Sequence, residues 1–158
     1  MHLGTKGRYA VMAMVELAQS SAEKALPLSI IAEKQQISLP YLEQLFSRLR
    51  KGGIVESVRG PSGGYRLARE MEAISVADIM IAAGETLHAT RCSPHETVGC
   101  LEKGSRCLVH TLWEELGNQV SLFLRSVSLK DVCERRVVGT SQLMNLSKEA
   151  PAPRIYYV

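Results

Sequence analysis

The sequence predicts a mainly α fold with a small β-hairpin wing: a winged helix-turn-helix followed by a long dimerisation helix. Three observations predict it. Apolar residues recur at helical spacing through most of the first fifty residues, and two short runs rich in Val, Ile and Tyr then flank a glycine-rich turn. Further on, Val109, Trp113, Leu116, Val120, Phe123 and Val127 repeat with alternating gaps of four and three, the seam of a helix lying along a partner.

Taken in order, Thr5 is a candidate N-cap for a first helix in which Ala10, Val11, Met14, Leu17 and Ala18 form the apolar face. This helix carries Lys6 and Arg8 at its start and ends in the Ser20-Ser21 region. Pro27 closes a polar linker, Ser29 is placed to cap a short helix to about Gln35 with Ile30 and Ile31 inward, and Ser38 to cap the next. Two short helices separated by a turn of a few residues make a helix-turn-helix.

In the third helix Leu42, Leu45, Phe46 and Leu49 make the core stripe. Gln44, Ser47 and Lys51 lie on the far side, flanked by Glu43 and Arg50. Pro40 sits in the first turn, where it is tolerated, and Gly52-Gly53 ends the helix. Residues 54–59 and 64–68, joined by Gly60-Pro61-Ser62-Gly63, then read as the hairpin. A basic residue beside such a turn brings a guanidinium and backbone N–H groups near a phosphate or a narrow minor groove, which makes Arg59 the candidate wing contact. No Lys-Ser/Thr pair follows the glycines, so the turn is not a nucleotide phosphate loop.

Ser75 and Asp78 are spaced as a capping box for a short helix with Val76, Ile79, Met80 and Ala83 inward and Gly84 at its end. Ser128 and Asp131 open one more, in which Leu129, Val132 and Cys133 share a face, so Cys133 reads as a buried hydrophobe. The division expected is a winged domain over 1–84, a ligand loop over 85–107, dimerisation and following helices over 108–138, and a flexible tail over 139–158.

A chain of 158 residues with 46% hydrophobic and 22% charged residues suits one soluble core. No run approaches the roughly 18 apolar residues of a membrane span and residues 1–9 contain no apolar leader, so the expectation is the reducing cytoplasm, with no membrane partner. Residues 1–70 hold ten Lys/Arg against six Asp/Glu, whereas residues 71–158 hold nine against ten. Within 38–69 the ratio is six to two, a local patch of the kind that meets phosphates.

Three of the four cysteines and two of the four histidines fall inside residues 92–110, and the candidate ligands among them are Cys92, Cys100, Cys107 and His110. Thiolate and neutral imidazole suit a tetrahedral zinc or a 2Fe-2S cluster. Structural zinc sites usually contain tight pairs, and the long gaps here suit a larger object; spacing alone leaves zinc and iron-sulfur both open. A disulfide fits a reducing compartment poorly. If a helix opens near Ser105, Cys107 and His110 share its first turn. His95 lies near enough to Cys92 to substitute for His110, and a dithiol enzyme would show the Cys-x-x-Cys that is absent.

Lys6-Gly7-Arg8-Tyr9-Ala10, Tyr41-Leu42-Glu43-Gln44-Leu45-Phe46 with Leu49-Arg50-Lys51, Val58-Arg59-Gly60-Pro61 with Gly63-Gly64-Tyr65, and Cys107-Leu108-x-His110 together resemble the IscR-like iron-sulfur regulators of the Rrf-type family of winged-helix transcription factors. The resemblance covers about residues 1–127. It implies a homodimeric regulator of operator DNA, not an enzyme, with a 2Fe-2S cluster on Cys92, Cys100, Cys107 and His110 and with cluster assembly or donor proteins as partners. The DNA-contacting set is then Lys6, Arg8, Tyr41, Glu43, Gln44, Ser47, Arg50, Lys51, Arg59, Ser62 and Gly63. It also implies that Glu43 distinguishes site classes according to cluster occupancy. The gaps between the cysteines are longer than the usual pattern of that group, and Cys133 inherits no role. The alternatives are a zinc-stabilised DNA-binding regulator and a thiol-based redox or cluster carrier protein.

Overall fold

Ala10, Ala13, Met14 and Leu17 line one side of α1 (Thr5–Gln19) and are buried, because alanine and unbranched methionine let neighbouring helices approach closely. The computed structural model describes residues 4–20, 25–60, 63–87, 99–101 and 105–137. Cys92, His95, Ser62 and the expected tail lie outside them. Around α1 pack α2 (Leu28–Gln35), α4 (Val76–Ala82) and α6 (Leu129–Cys133), and α3 (Leu39–Lys51) packs in turn against α2 and α4. Between α3 and α4 runs an antiparallel hairpin, β1 (Val55–Val58) and β2 (Gly64–Leu67), with Glu56 opposite Arg66 and Ser57 opposite Tyr65.

The core stripe of α3 forms as its spacing requires: Leu42, Leu45, Phe46 and Leu49 are all buried. Phe46 meets Tyr65 of β2 edge-on at 5.0 Å, which ties the hairpin to the helix. The hairpin has a neighbour that periodicity did not reveal. Leu26, in the linker before α2, exchanges two backbone hydrogen bonds with Tyr65, at 2.8 and 3.0 Å, and so extends the pairing across β2.

Three capping expectations are corrected. Thr5 is already helical, and the N-cap is Gly4, which has no side chain of its own to cap the helix. The second helix begins at Leu28 with Pro27 before it, not at Ser29; Leu28 and Ile31 then share the buried side, which turns Ile30 outward to 38% exposure. Ser38 occupies the N-cap of α3 but makes no side-chain cap bond.

The expected capping box is present, and the other expected short helix opens with one as well. Ser75 and Asp78 close one at α4, and Ser128 and Asp131 close another at α6. The two lie side by side, since Val76 N–H donates to Val127 C=O at 2.9 Å and Leu129 N–H to Ile74 C=O at 2.8 Å. This bridge returns the chain to the main core after α5 (His110–Ser126), and Leu129 is fully buried there. Cys133 packs half-buried against the same core, and burial pushes its thiol pKa up.

Candidate functional site

The face of α3 away from the core presents Glu43, Gln44, Arg50 and Lys51 exposed and Ser47 partly so. Arg50 Nη1 lies 3.4 Å from Ser57 Oγ, linking the end of this helix to β1. Glu56 and Arg66 pair across the hairpin. Beyond β1, Arg59 is exposed, Gly60 has φ +120°, and Gly63 N–H donates to Gly60 C=O at 2.9 Å. A Cβ on Gly63 would come within 2.6 Å of Val58 C=O, so this turn closes only around a glycine. Glu43 and Arg59 form no ion pair, and among the described residues Glu43 has no salt-bridge partner.

Lys6 and Arg8 stand in the first turn of α1, and Lys6 lies beside Tyr41 and Gln44 of α3. Tyr9 meets Tyr41 edge-on at 5.9 Å, which holds the start of α3 against α1. The chain N-terminal to α1 is organised by a residue that local spacing could not reveal. Glu85, just beyond α4, accepts hydrogen bonds from Gly4 N–H at 2.7 Å and Gly7 N–H at 3.3 Å.

Of the four candidate ligands, Cys92 lies outside the described residues. Cys100 Sγ lies 3.0 Å from His110 Nδ1, and His110 is only 5% exposed. Leu101 N–H donates to Ser105 C=O at 3.1 Å, which folds the loop back toward the start of α5. The expectation that a helix opens near Ser105 is corrected: α5 begins at His110 with Val109 before it, and Cys107 precedes it in a turn. Cys107 C=O accepts the His110 N–H at 3.0 Å, so the two are joined by backbone and do not share a helical face. Among the described residues no group of three or more His, Cys, Asp or Glu side chains gathers for a metal.

The donors that are described nevertheless fit a metal or a cluster in kind. A thiol and a buried imidazole already meet, and Glu114 Oε2 stands 3.8 Å from His110 Nε2. A carboxylate near the second nitrogen is the usual outer partner of a ligating histidine. The spacing of Glu114, one turn after His110, was the available signal for it.

Along α5 only His110 and Gly117 are buried. Val109, Trp113, Leu116 and Phe123 of the expected seam are exposed, together with Leu112 and Leu122, whereas Val127 is buried against its own chain. Six large apolar side chains on one stretch form more than scattered surface hydrophobes. No helix among the described residues is long and apolar enough to cross a membrane.

Residues 3–135 match the model of the Rrf2 family, described as an iron-dependent transcriptional regulator. The chain belongs to the Rrf2 family. Rrf2 relatives named HTH-type transcriptional regulator IscR include that of Photorhabdus laumondii, 50% identical over 138 residues, which are 87% of this chain and 82% of the relative. That of Erwinia tasmaniensis is 46% identical over 159 residues, 99% of this chain and 94% of the relative. Among solved structures, T. potens IscR superposes with TM-score 0.65 at 35% identity, covering 98% of this chain and 94% of its own. CymR of B. subtilis, a global cysteine regulator, gives TM-score 0.70 at 32% identity over 85% of this chain and 98% of its own. The winged-helix fold and the IscR-like resemblance are thus borne out, and this Rrf2 chain is a transcriptional regulator rather than an enzyme.

Proposed function

We propose that this chain is a homodimeric regulator that reads operator DNA through α3 and the hairpin, and that its choice of site depends on a 2Fe-2S cluster held by Cys92, Cys100, Cys107 and His110. The observation that carries the reading is the 3.0 Å approach of Cys100 Sγ to His110 Nδ1, which brings two of the four ligands together at the buried start of α5. The IscR-named relatives and the iron-dependent family description support it. When bound, the cluster supplies a redox centre whose presence reports iron-sulfur supply.

The protein's own groups do the rest. His110 pins the ligand loop to the first turn of α5, so that a change in ligation acts on the helix bearing the exposed Trp113, Leu116 and Phe123. Those residues cover one another across a dimer two-fold, and the dimer presents two copies of α3 to two half-sites. Gln44, Ser47, Arg50 and Lys51 meet the major groove and its phosphates, with Arg59, Ser62 and Gly63 at the flanking groove. The setting is the cytoplasm, where thiols stay reduced and cluster donors are at hand.

Visible absorption of anaerobically purified protein, with iron, sulfide and zinc analysis, tests this reading. Two irons and two sulfides per chain are expected, with loss of colour in Cys100→Ala and His110→Ala. Replacing His110 by Cys is expected to retain the cluster at a lower reduction potential, because all-thiolate clusters lie below those with histidine on an iron. One zinc per chain without iron would establish the zinc-stabilised regulator instead.

A further inference from the structure

Between the first turn of α1 and the outer side of α3 lies a small cleft, open to solvent and lined by Lys6, Tyr41, Gln44, Leu45 and Arg48. We propose that this cleft is a phosphate seat, occupied by a backbone phosphodiester when the protein lies on DNA, and that Arg48 is its second cation. The inference rests on the DNA-reading function proposed above and adds to it a residue and a site.

The lining has the chemistry of an anion site. Tyr41, Gln44, Leu45 and Arg48 are spaced i, i+3, i+4 and i+7, so one side of α3 supplies a phenol, an amide, an apolar floor and a guanidinium. Lys6 brings an ammonium from the opposite wall, and no carboxylate lines the cleft. Among the described residues neither Lys6 nor Arg48 is paired with an acid, so two positive charges face one small opening uncompensated. A guanidinium and an ammonium together neutralise a phosphodiester, and the neutral O–H and N–H groups direct it.

The walls are also held in place before any ligand arrives. Arg48 Nη1 donates to Ala83 C=O at 3.2 Å, at the end of α4, which spends one of its five N–H groups and leaves the fork available. Tyr41 is braced by Tyr9, and Leu45 is buried. Glu85 already occupies the Gly4 and Gly7 amides, so the seat is made of side chains and not of the open end of α1. Preorganisation of this kind lowers the ordering cost of binding.

The competing assignments are a purely structural role for Arg48 in ending α4, and a site for free phosphate. Salt-dependent binding separates them. Each phosphate neutralised contributes a slope of about 0.9 in log K against log salt, so removing both cations of the one seat, as Lys6→Gln with Arg48→Gln, is expected to lower the slope for a random-sequence duplex by about 0.9 per protomer engaged, and each single Gln variant by a part of that. Affinities for operator and random duplex should fall by the same factor, and Arg48→Lys should keep the slope. On an operator recovered by selection, one methylphosphonate at the seated position should weaken the wild type more than Arg48→Gln and leave the Lys6→Gln, Arg48→Gln double variant unaffected. Wild-type slopes in both Gln variants would overturn the seat while leaving DNA reading intact, whereas wild-type protein that binds no duplex would overturn both. Inorganic phosphate that shifts the Arg48 Nε–H resonance without DNA, together with an unchanged duplex slope in Arg48→Gln, would overturn it in favour of a free-anion site.

Discussion

Glu85 and Gly4 lie 81 residues apart in sequence, yet the Glu85 carboxylate accepts the Gly4 amide at 2.7 Å and so caps α1 from just beyond α4, the helix packed against it. A Cβ on Gly7 would come within 2.8 Å of Met80 Cε, so the glycine in the first turn also serves this approach. Removing the cap as Glu85→Ala is expected to cost about 0.5–2 kcal/mol, the range of N-cap losses, measured by urea unfolding. DNA affinity should fall with it, since Lys6 and Arg8 ride on that turn. Glu85→Gln keeps an acceptor and should recover most of the stability. Equal losses in Ala and Gln would mean that the charge, and not the hydrogen bond, matters.

The exposed apolar stretch of α5 predicts the oligomeric state. Fully burying a large apolar side chain stabilises by roughly 1.5–3 kcal/mol, and a two-fold doubles each loss. Trp113→Glu is therefore expected to weaken the dimer at least about tenfold and to abolish tight binding to paired half-sites. Sedimentation velocity across protein concentration reads this directly. A wild-type monomer at micromolar concentration in the presence of operator would remove the dimer from the mechanism.

Glu43 remains an exposed carboxylate on the side of α3 that approaches a polyanion, without an ion pair among the described residues. Its expected work is selection: accepting from cytosine N4, or rejecting sites that lack such a donor, is worth about 1–3 kcal/mol of discrimination. Glu43→Ala should let cluster-free protein bind sites otherwise reserved for the cluster-bound form, with general affinity retained. Titration of both forms against two site classes at fixed salt gives the answer, and an unchanged preference would exclude Glu43.

Asp131 ties α6 to pH. The Ser128 hydroxyl and backbone N–H donate to its carboxylate and hold its pKa below the usual carboxylate range, with Arg136 and Lys130 adding smaller favourable fields. A depressed carboxylate pKa contributes stability that is complete above the unfolded value of about 3.9 and is lost as pH falls through the folded one. Asp131→Asn should thus be less stable than wild type at pH 6, and the gap should close below about pH 4. A gap that persists in acid would mean that shape, and not charge, holds the box.

Residues that act within one turn of their own helix were readable in the linear chain. The α3 stripe of Leu42, Leu45, Phe46 and Leu49, the hairpin around residues 60–63 and the Ser75/Asp78 and Ser128/Asp131 boxes all follow from spacings of two to four residues, which the backbone geometry of helix and strand enforces. Donor chemistry near residue 100 was equally plain, since thiols and an imidazole announce themselves by type. What only the tertiary structure decided are the long-range contacts: Leu26 beside Tyr65, Glu85 on α1, Arg48 on Ala83, and Leu129 returned to the core. Where α5 starts belongs with them, because that start sets His110 against Cys100 Sγ and leaves Cys107 in the turn before it. Such contacts depend on where the folded path carries each segment, and no local periodicity encodes a partner dozens of residues away.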